Sequence, residues 1–203
     1  GHELDYIVME LLRGESLAEW LPRLAAGDLT LPAEILAQAA RGVAAGHRAG
    51  IVHRDVKPRN LIVLPSSGSE RVVVRVVDFG IAKPRPGTAE FGEITVGHGF
   101  VGSARYASPE QLQGRSDPGP ESDVFSLGLV GYELLAGSPS FTEADRTRLS
   151  QGLHVPVRPP RVLNPAIPQA VESVLLRCLC LDPEERYPDA DALVAALDAA
   201  WRV

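Results

Sequence analysis

The sequence predicts an α+β fold that is mainly α. Three observations carry that expectation. Helical periodicity runs through 123–136, 143–151, 168–180 and 189–201, punctuated by Gly137, the Pro156–Pro168 stretch and Pro183. Strand-like runs are short and confined to the first 77 residues. At 203 residues, 45% hydrophobic and 23% charged, the composition is that of an ordinary globular chain with one large domain or two small ones.

In chain order, Leu4-Asp5-Tyr6-Ile7-Val8-Met9-Glu10 carries β-branched and aromatic residues and reads as a strand. Leu12-Arg13-Gly14 breaks it. Ser16 suits a helix cap, with Leu17, Trp20, Leu21 and Leu24 following at helical spacing and Gly27 ending the helix. Pro32 fits the first turn of a longer helix, whose apolar face is Ile35, Leu36, Ala39, Val43 and His47 and whose end is Gly50. Strands are expected at 51–53, 60–64 and 72–77, the last two joined by the turn-forming Pro65-Ser66-Ser67-Gly68-Ser69-Glu70. Residues 81–102 hold Pro84, Pro86 and five glycines without sustained periodicity. A glycine-rich loop of that length in a compact domain is functional or disordered.

Bulk properties exclude some classes. A net charge of -6 argues against a nucleic-acid partner. The chain has two cysteines, Cys178 and Cys180. Residues two apart on a helix point to different sides, so free thiols in a reducing cytoplasm are expected rather than a disulfide. No apolar run of about 18 residues suggests a membrane span, and no signal peptide is expected at the start. The only lysines are Lys57 and Lys83.

The chemistry concentrates in two motifs. His53-Arg54-Asp55-Val56-Lys57-Pro58-Arg59-Asn60 sets a proton acceptor, a cation and an amide oxygen on one short loop; Asp78-Phe79-Gly80 follows eighteen residues after Asn60, at the end of an apolar strand. Phosphoryl transfer depends on positioning and charge neutralisation more than on covalent chemistry, and these groups supply both. The two motifs together resemble the catalytic loop and metal-binding motif of bacterial serine/threonine protein kinases of the eukaryotic type, and Lys57-Pro58 is the serine/threonine form.

The resemblance implies roles residue by residue. Asp55 would accept the proton of the substrate hydroxyl and Lys57 would neutralise the γ-phosphate. Asn60 and Asp78 would hold Mg²⁺, and ATP would be the donor. Met9, Glu10 and Leu12 would form the gatekeeper and hinge, and Ser16 would contact the ribose. Leu17 and Ile62 would lie below the adenine, although apolar residues would stand there as core in any case. Ser103 and Arg54 would support the substrate loop, with Tyr106 beside the arriving substrate chain. Arg54 marks kinases switched on by loop phosphorylation; Thr95 and then Thr88 are the candidate acceptors, against the plain reading of solvated threonines. Ala107-Ser108-Pro109-Glu110 resembles the segment closing the activation loop, with Ser108 replacing the usual Ala. Glu110 would pair with Arg186 unless both are solvated. Asp123, opening Asp123-Val124-Phe125-Ser126-Leu127-Gly128, would be structural, accepting backbone donors from the catalytic loop.

The resemblance spans nearly the whole chain: a last small-lobe strand and hinge over 1–12, then the large C-terminal lobe over 13–203. The small-lobe sheet and helix are missing, since no Gly-x-Gly-x-x-Gly loop and no lysine precede Lys57. These residues alone are therefore expected to be inactive and to fray before about residue 12. The implied partners are ATP and Ser/Thr-bearing proteins, with room for a dimer of a longer, cytoplasmic or membrane-anchored protein. The alternatives are a truncated pseudokinase acting as a scaffold, which has no physical need for all four of Asp55, Lys57, Asn60 and Asp78, and a small-molecule phosphotransferase, which Lys57-Pro58 and Ser108-Pro109-Glu110 disfavour.

Overall fold

The computed structural model describes residues 10–24, 28–65, 72–79, 105–115 and 117–202. The expected strand at 4–10 and the loop over 81–102 lie outside them, apart from Glu10.

The described chain opens on a two-residue strand, β1 (Glu15–Ser16), and one turn of helix, α1 (Leu17–Trp20). Ser16 and Glu19 form a capping box, satisfying donors at the helix start reciprocally. The expected helix to Leu24 is realised as this turn plus a 3₁₀ turn at Leu21–Arg23, because Pro22 stands inside it. α2 (Thr30–Arg48) buries Ile35, Leu36, Ala39, Ala40, Val43 and Ala44 along one stripe. Residues 51–53 form no strand. They pass as coil into the loop, with the Ile51 N–H bonded back to the Gly46 carbonyl and the His53 N–H taken by Asp123 instead of a ladder.

β2 (Leu61–Pro65) and β3 (Val72–Val76) pair antiparallel from Leu61↔Val76 to Pro65↔Val72, and β1 joins the other edge of β2 through Ser16↔Ile62. Leu61, Val63, Val72 and Val74 alternate onto the buried face, above α2. The Gln38 side chain donates to the Val72 carbonyl (2.9 Å) and accepts from the Val74 N–H (2.9 Å), fixing β3 to α2.

α3 (Pro109–Leu112) is a single turn, too short for periodicity to reveal. α4 (Pro120–Ala136) is buried all round and forms the axis of the molecule. It begins three residues earlier than its apolar pattern suggests, because Pro120 opens the first turn with its φ already set. Gly137, at φ 71°, ends it in a left-handed cap. α5 (Glu143–Ser150), α6 (Gln169–Cys178) and α7 (Ala190–Ala200) surround it. α7 returns to α2, with Arg41–Asp198 (2.8 Å) and Arg48–Asp191 bridging their surfaces.

One core cluster joins α2, the sheet, α4, α6 and α7. A second, around Phe125, Tyr132, Phe141 and Leu149, lies under α5, with the Phe125 and Phe141 rings stacked at 6.3 Å. Cys178 and Cys180 are free thiols, and burial pushes both up, away from the reactive thiolate. Among the described residues, no helix is long and apolar enough to cross a membrane.

Candidate active site

The site is built on the loop between α2 and β2. Asp123, buried in the first turn of α4, grips that loop from below. Its Oδ2 accepts from the His53 N–H (2.7 Å) and its Oδ1 from the Arg54 N–H (2.7 Å). Two main-chain bonds to one carboxylate hold the backbone leading into Asp55 in place. His47 adds a third contact, Nε2 to Asp123 Oδ2 at 2.9 Å. Its Nδ1 accepts from the Ala190 N–H (3.1 Å), so Nε2 carries the proton and donates. α2, α4 and the start of α7 thus meet at one buried imidazole, and the loop joins them through Asp123.

His53 performs a similar function on the other side. Its Nδ1 accepts from the Asp55 N–H (3.3 Å), which leaves Nε2 to donate to the Val77 carbonyl (3.0 Å). Its ring lies 4.6 Å from that of Phe79. The catalytic-type loop is therefore tied directly to the segment that carries Asp78. A main-chain bond from Val77 N–H to the Asn60 carbonyl (2.9 Å) closes the same junction.

Within the loop, Lys57 Nζ donates to Asp55 Oδ2 at 2.7 Å, with both side chains mostly buried. Asn60 Nδ2 donates to the Asp55 carbonyl (2.9 Å) and approaches Asp55 Oδ2 at 3.4 Å, which leaves its amide oxygen as the group able to meet a cation. A 3₁₀ turn at Pro58–Asn60 brings Asn60 back over Asp55. Asp78 is exposed at the end of β3. Arg54 (φ 63°) and Asp78 (φ 56°) are the non-glycine residues with left-handed backbone among those described. Such strain persists only where surrounding contacts over-determine it, and here it aims both side chains.

Arg54 extends to Asp117, with Nη2 to Oδ1 at 2.6 Å. Gln111 links this region to α3, accepting from the Ser108 N–H (2.9 Å) and donating to the Arg54 carbonyl (2.8 Å). Glu110, also on α3, is held by Arg186 through two parallel bonds of 2.8 and 2.9 Å and by the Ser122 hydroxyl at 2.5 Å. Tyr106 donates to Glu133 (2.5 Å), while its carbonyl accepts from Ser126 (2.7 Å).

The structure thus brings Asp55, Lys57, Asn60, Arg54 and Asp123 together, with Asp78 on the adjoining segment. Glu10 is exposed and Leu12 half-buried, both in coil. Ser16 and Ile62 are register partners across β1 and β2, and the Ser16 hydroxyl is engaged by Glu19. Leu17 is fully buried in the main core. Met9, Ser103, Thr88 and Thr95 lie outside the described residues. Sequence reasoning missed His47, Gln111 and Glu133 as site-supporting groups. Two left a signal: a polar residue on the apolar stripe of α2, and the Ser-x-x-Gln capping pattern at Ser108–Gln111.

Among the described residues, no three His, Cys, Asp or Glu side chains cluster as a metal cage. The hard oxygens of the site that suit magnesium are the Asn60 amide oxygen and the carboxylate of the exposed Asp78.

The family model described as "protein kinase domain" matches residues 2–197. A serine/threonine-protein kinase of Corynebacterium efficiens is 38% identical over 199 residues, covering 98% of this chain and 36% of its own length. The serine/threonine-protein kinase PknA of Mycobacterium tuberculosis is 38% identical over 201 residues, covering 97% and 44%. The chain therefore spans well under half the length of these curated relatives. Among solved structures, the kinase domain of PknI from Mycobacterium tuberculosis matches with a TM-score of 0.65 at 23% identity, covering 95% of this chain and 64% of that one, a likeness of fold.

Proposed function

The chain belongs to the protein kinase domain family, and from that premise we propose that it is the large lobe of a serine/threonine kinase that moves the γ-phosphoryl group of ATP to protein hydroxyls. Residues 13–203 form that lobe in this reading, and residues 1–12 the hinge and its strand. The observation that carries it is the Asp55–Lys57–Asn60 loop held on Asp123 by two main-chain bonds of 2.7 Å.

Asp55 orients the incoming serine or threonine hydroxyl and takes its proton as the oxygen attacks phosphorus. Lys57, whose Nζ donates to Asp55 Oδ2 at 2.7 Å, orients that carboxylate and lies beside the charge that develops on the transferred group. Asn60 and Asp78 hold magnesium through hard oxygens. When bound, magnesium-ATP supplies the phosphoryl group and further charge neutralisation. Asp123, His47 and His53 act through the loop, holding the base still.

In the full-length protein carrying this chain, Asp55→Asn is expected to lower magnesium-ATP-dependent phosphorylation of a threonine peptide about a thousandfold, within the usual range for a general base. A variant within threefold of wild type overturns the reading in favour of a scaffold. A preparation of residues 1–203 alone, with no glycine-rich loop and no lysine before Lys57, is expected to transfer no measurable phosphate.

Arg54 is the proposed receiver of a loop phosphate on Thr95 or, second, Thr88. Its present partner, Asp117, is 82% exposed, so the pair is weak and exchangeable. Phosphopeptide mapping of active protein with both threonines unmodified would sink this assignment.

A further inference from the structure

We propose that Arg105, held on Glu133, is a specificity residue that favours an acidic side chain a few residues from the accepting hydroxyl of the substrate. The inference rests on the kinase reading above and adds a substrate preference to it.

The cluster is built from three side chains. Glu133, on α4, accepts from the Tyr106 hydroxyl at 2.5 Å on one oxygen and from Arg105 Nη2 at 2.8 Å on the other. Burial, and then the Glu133 carboxylate, push the Tyr106 hydroxyl up, so it stays a proton donor at any working pH. Both carboxylate oxygens are thus engaged, and the carboxylate is only 15% exposed. Arg105 is 47% exposed and has five N–H donors, one of which goes to Glu133. The negative end of the pair faces inward and the positive end faces solvent.

Access decides which ligand this suits. The cavity beneath the cluster, between Leu129, Pro139 and Phe141, measures about 10 Å³, room for at most one water. With both its oxygens engaged and 15% of its side chain exposed, Glu133 is poorly placed to take a substrate cation unless Arg105 moves. What the surface offers is the outward guanidinium, matched by geometry to a carboxylate.

Position ties the cluster to the reaction. Ten residues of α4 separate Asp123, which grips the Asp55 loop, from Glu133, roughly 15 Å at helical rise. An extended peptide covers that distance in about four or five residues. Ser126, between them on α4, holds the Tyr106 carbonyl at 2.7 Å, and the buried Arg146 donates to the Ala107 carbonyl, so the backbone that follows Arg105 is anchored at two successive carbonyls. The net charge of -6 disfavours acidic peptides at long range, so an acidic preference confined to one position is diagnostic of a local cation.

The test walks a single Glu, and separately a single Arg, through five positions on each side of a threonine in an alanine-rich peptide. Two readouts are taken on the full-length protein carrying this chain: kcat/KM for each peptide, and binding of the same peptides with the acceptor replaced by Ala to the Asp55→Asn variant, by fluorescence anisotropy. Glu is expected to improve both readouts about three- to fivefold at a position four or five residues from the acceptor, the size of a half-exposed ion pair. Arg105→Gln should remove that gain and Arg105→Lys retain part of it, with thermal melts confirming that each variant folds. Glu neutral at every position overturns the proposal, as does a preference for Arg that vanishes in Glu133→Gln. Binding preference without Asp55-dependent transfer would count against the kinase reading and not against this one.

Discussion

Asp123 satisfies three donors from a position 1% exposed to solvent: two main-chain N–H groups of the loop and the His47 ring. The carboxylate oxygens are acceptors and every one of these partners is a donor, so the match is complete. In Asp123→Asn the amide NH₂ must face at least one N–H donor, leaving buried donors opposed. The variant is expected to lose about 2–4 kcal/mol of stability, read by urea denaturation, and to lower kcat more than it raises KM, because the loop that holds Asp55 loosens. Unchanged stability would mean that the loop is held by other contacts. The carboxylate itself was legible in the sequence as a helix-start residue of a known motif. His47 was not: its partners lie 76 residues on at Asp123 and 143 residues on at Ala190, and local spacing places it with the apolar stripe of α2.

At the level of elements, α4 shows what periodicity reveals and what it conceals. A run of buried residues all round the helix marks it as central, and its existence was plain in the sequence. Its two interior glycines make sense only in three dimensions. A Cβ at Gly131 would stand 2.8 Å from Leu36 Cδ2 and 2.9 Å from Leu175 Cδ2; one at Gly128 would stand 2.6 Å from Cys178 Cβ. Glycine there lets α2 and α6 approach the axis closely. In an exposed helix, Gly→Ala gains about 1 kcal/mol of propensity. Here overpacking, worth about 1–3 kcal/mol, opposes it. Gly128→Ala should be the worse of the two, since it meets a Cβ that cannot rotate away, whereas leucine tips can. Thermal unfolding is expected to show Gly128→Ala clearly destabilised and Gly131→Ala destabilised less; a gain in Tm at Gly128 would show that the helices separate freely. Short elements escaped sequence reading for the opposite reason. The four-residue α3 and two-residue β1 are too brief for any period, and 51–53, apolar enough for a strand, has its backbone donor at His53 taken by Asp123.

Across the whole molecule, the α3 segment is fastened to the far end of the chain by Glu110 and Arg186, 76 residues apart. All five N–H donors of Arg186 are used: two on the Glu110 carboxylate, and one each on the carbonyls of Cys180, Glu121 and Leu181. The pairing was legible only through resemblance; nothing local in either segment predicts that two charges so distant should be buried together. Burial pushes the Glu110 carboxyl up, but Arg186 and the Ser122 hydroxyl outweigh it and hold the group below its ordinary value of 4.5. A carboxylate depressed on folding contributes stability that is complete above its unfolded value and is lost as pH falls through the folded one. Urea midpoints should therefore hold steady as pH falls from 7 toward about 5.5, then decline through and below about 4.5. Glu110→Gln removes one partner of a buried pair and should cost about 3–5 kcal/mol at neutral pH. The same substitution deletes this titration, so its curve should be the flatter of the two between pH 5 and the lowest pH at which both proteins still fold. Parallel curves for the two proteins would place the acid sensitivity of this lobe in other carboxylates and leave the Glu110–Arg186 pair a geometric fastening without a pH dependence of its own.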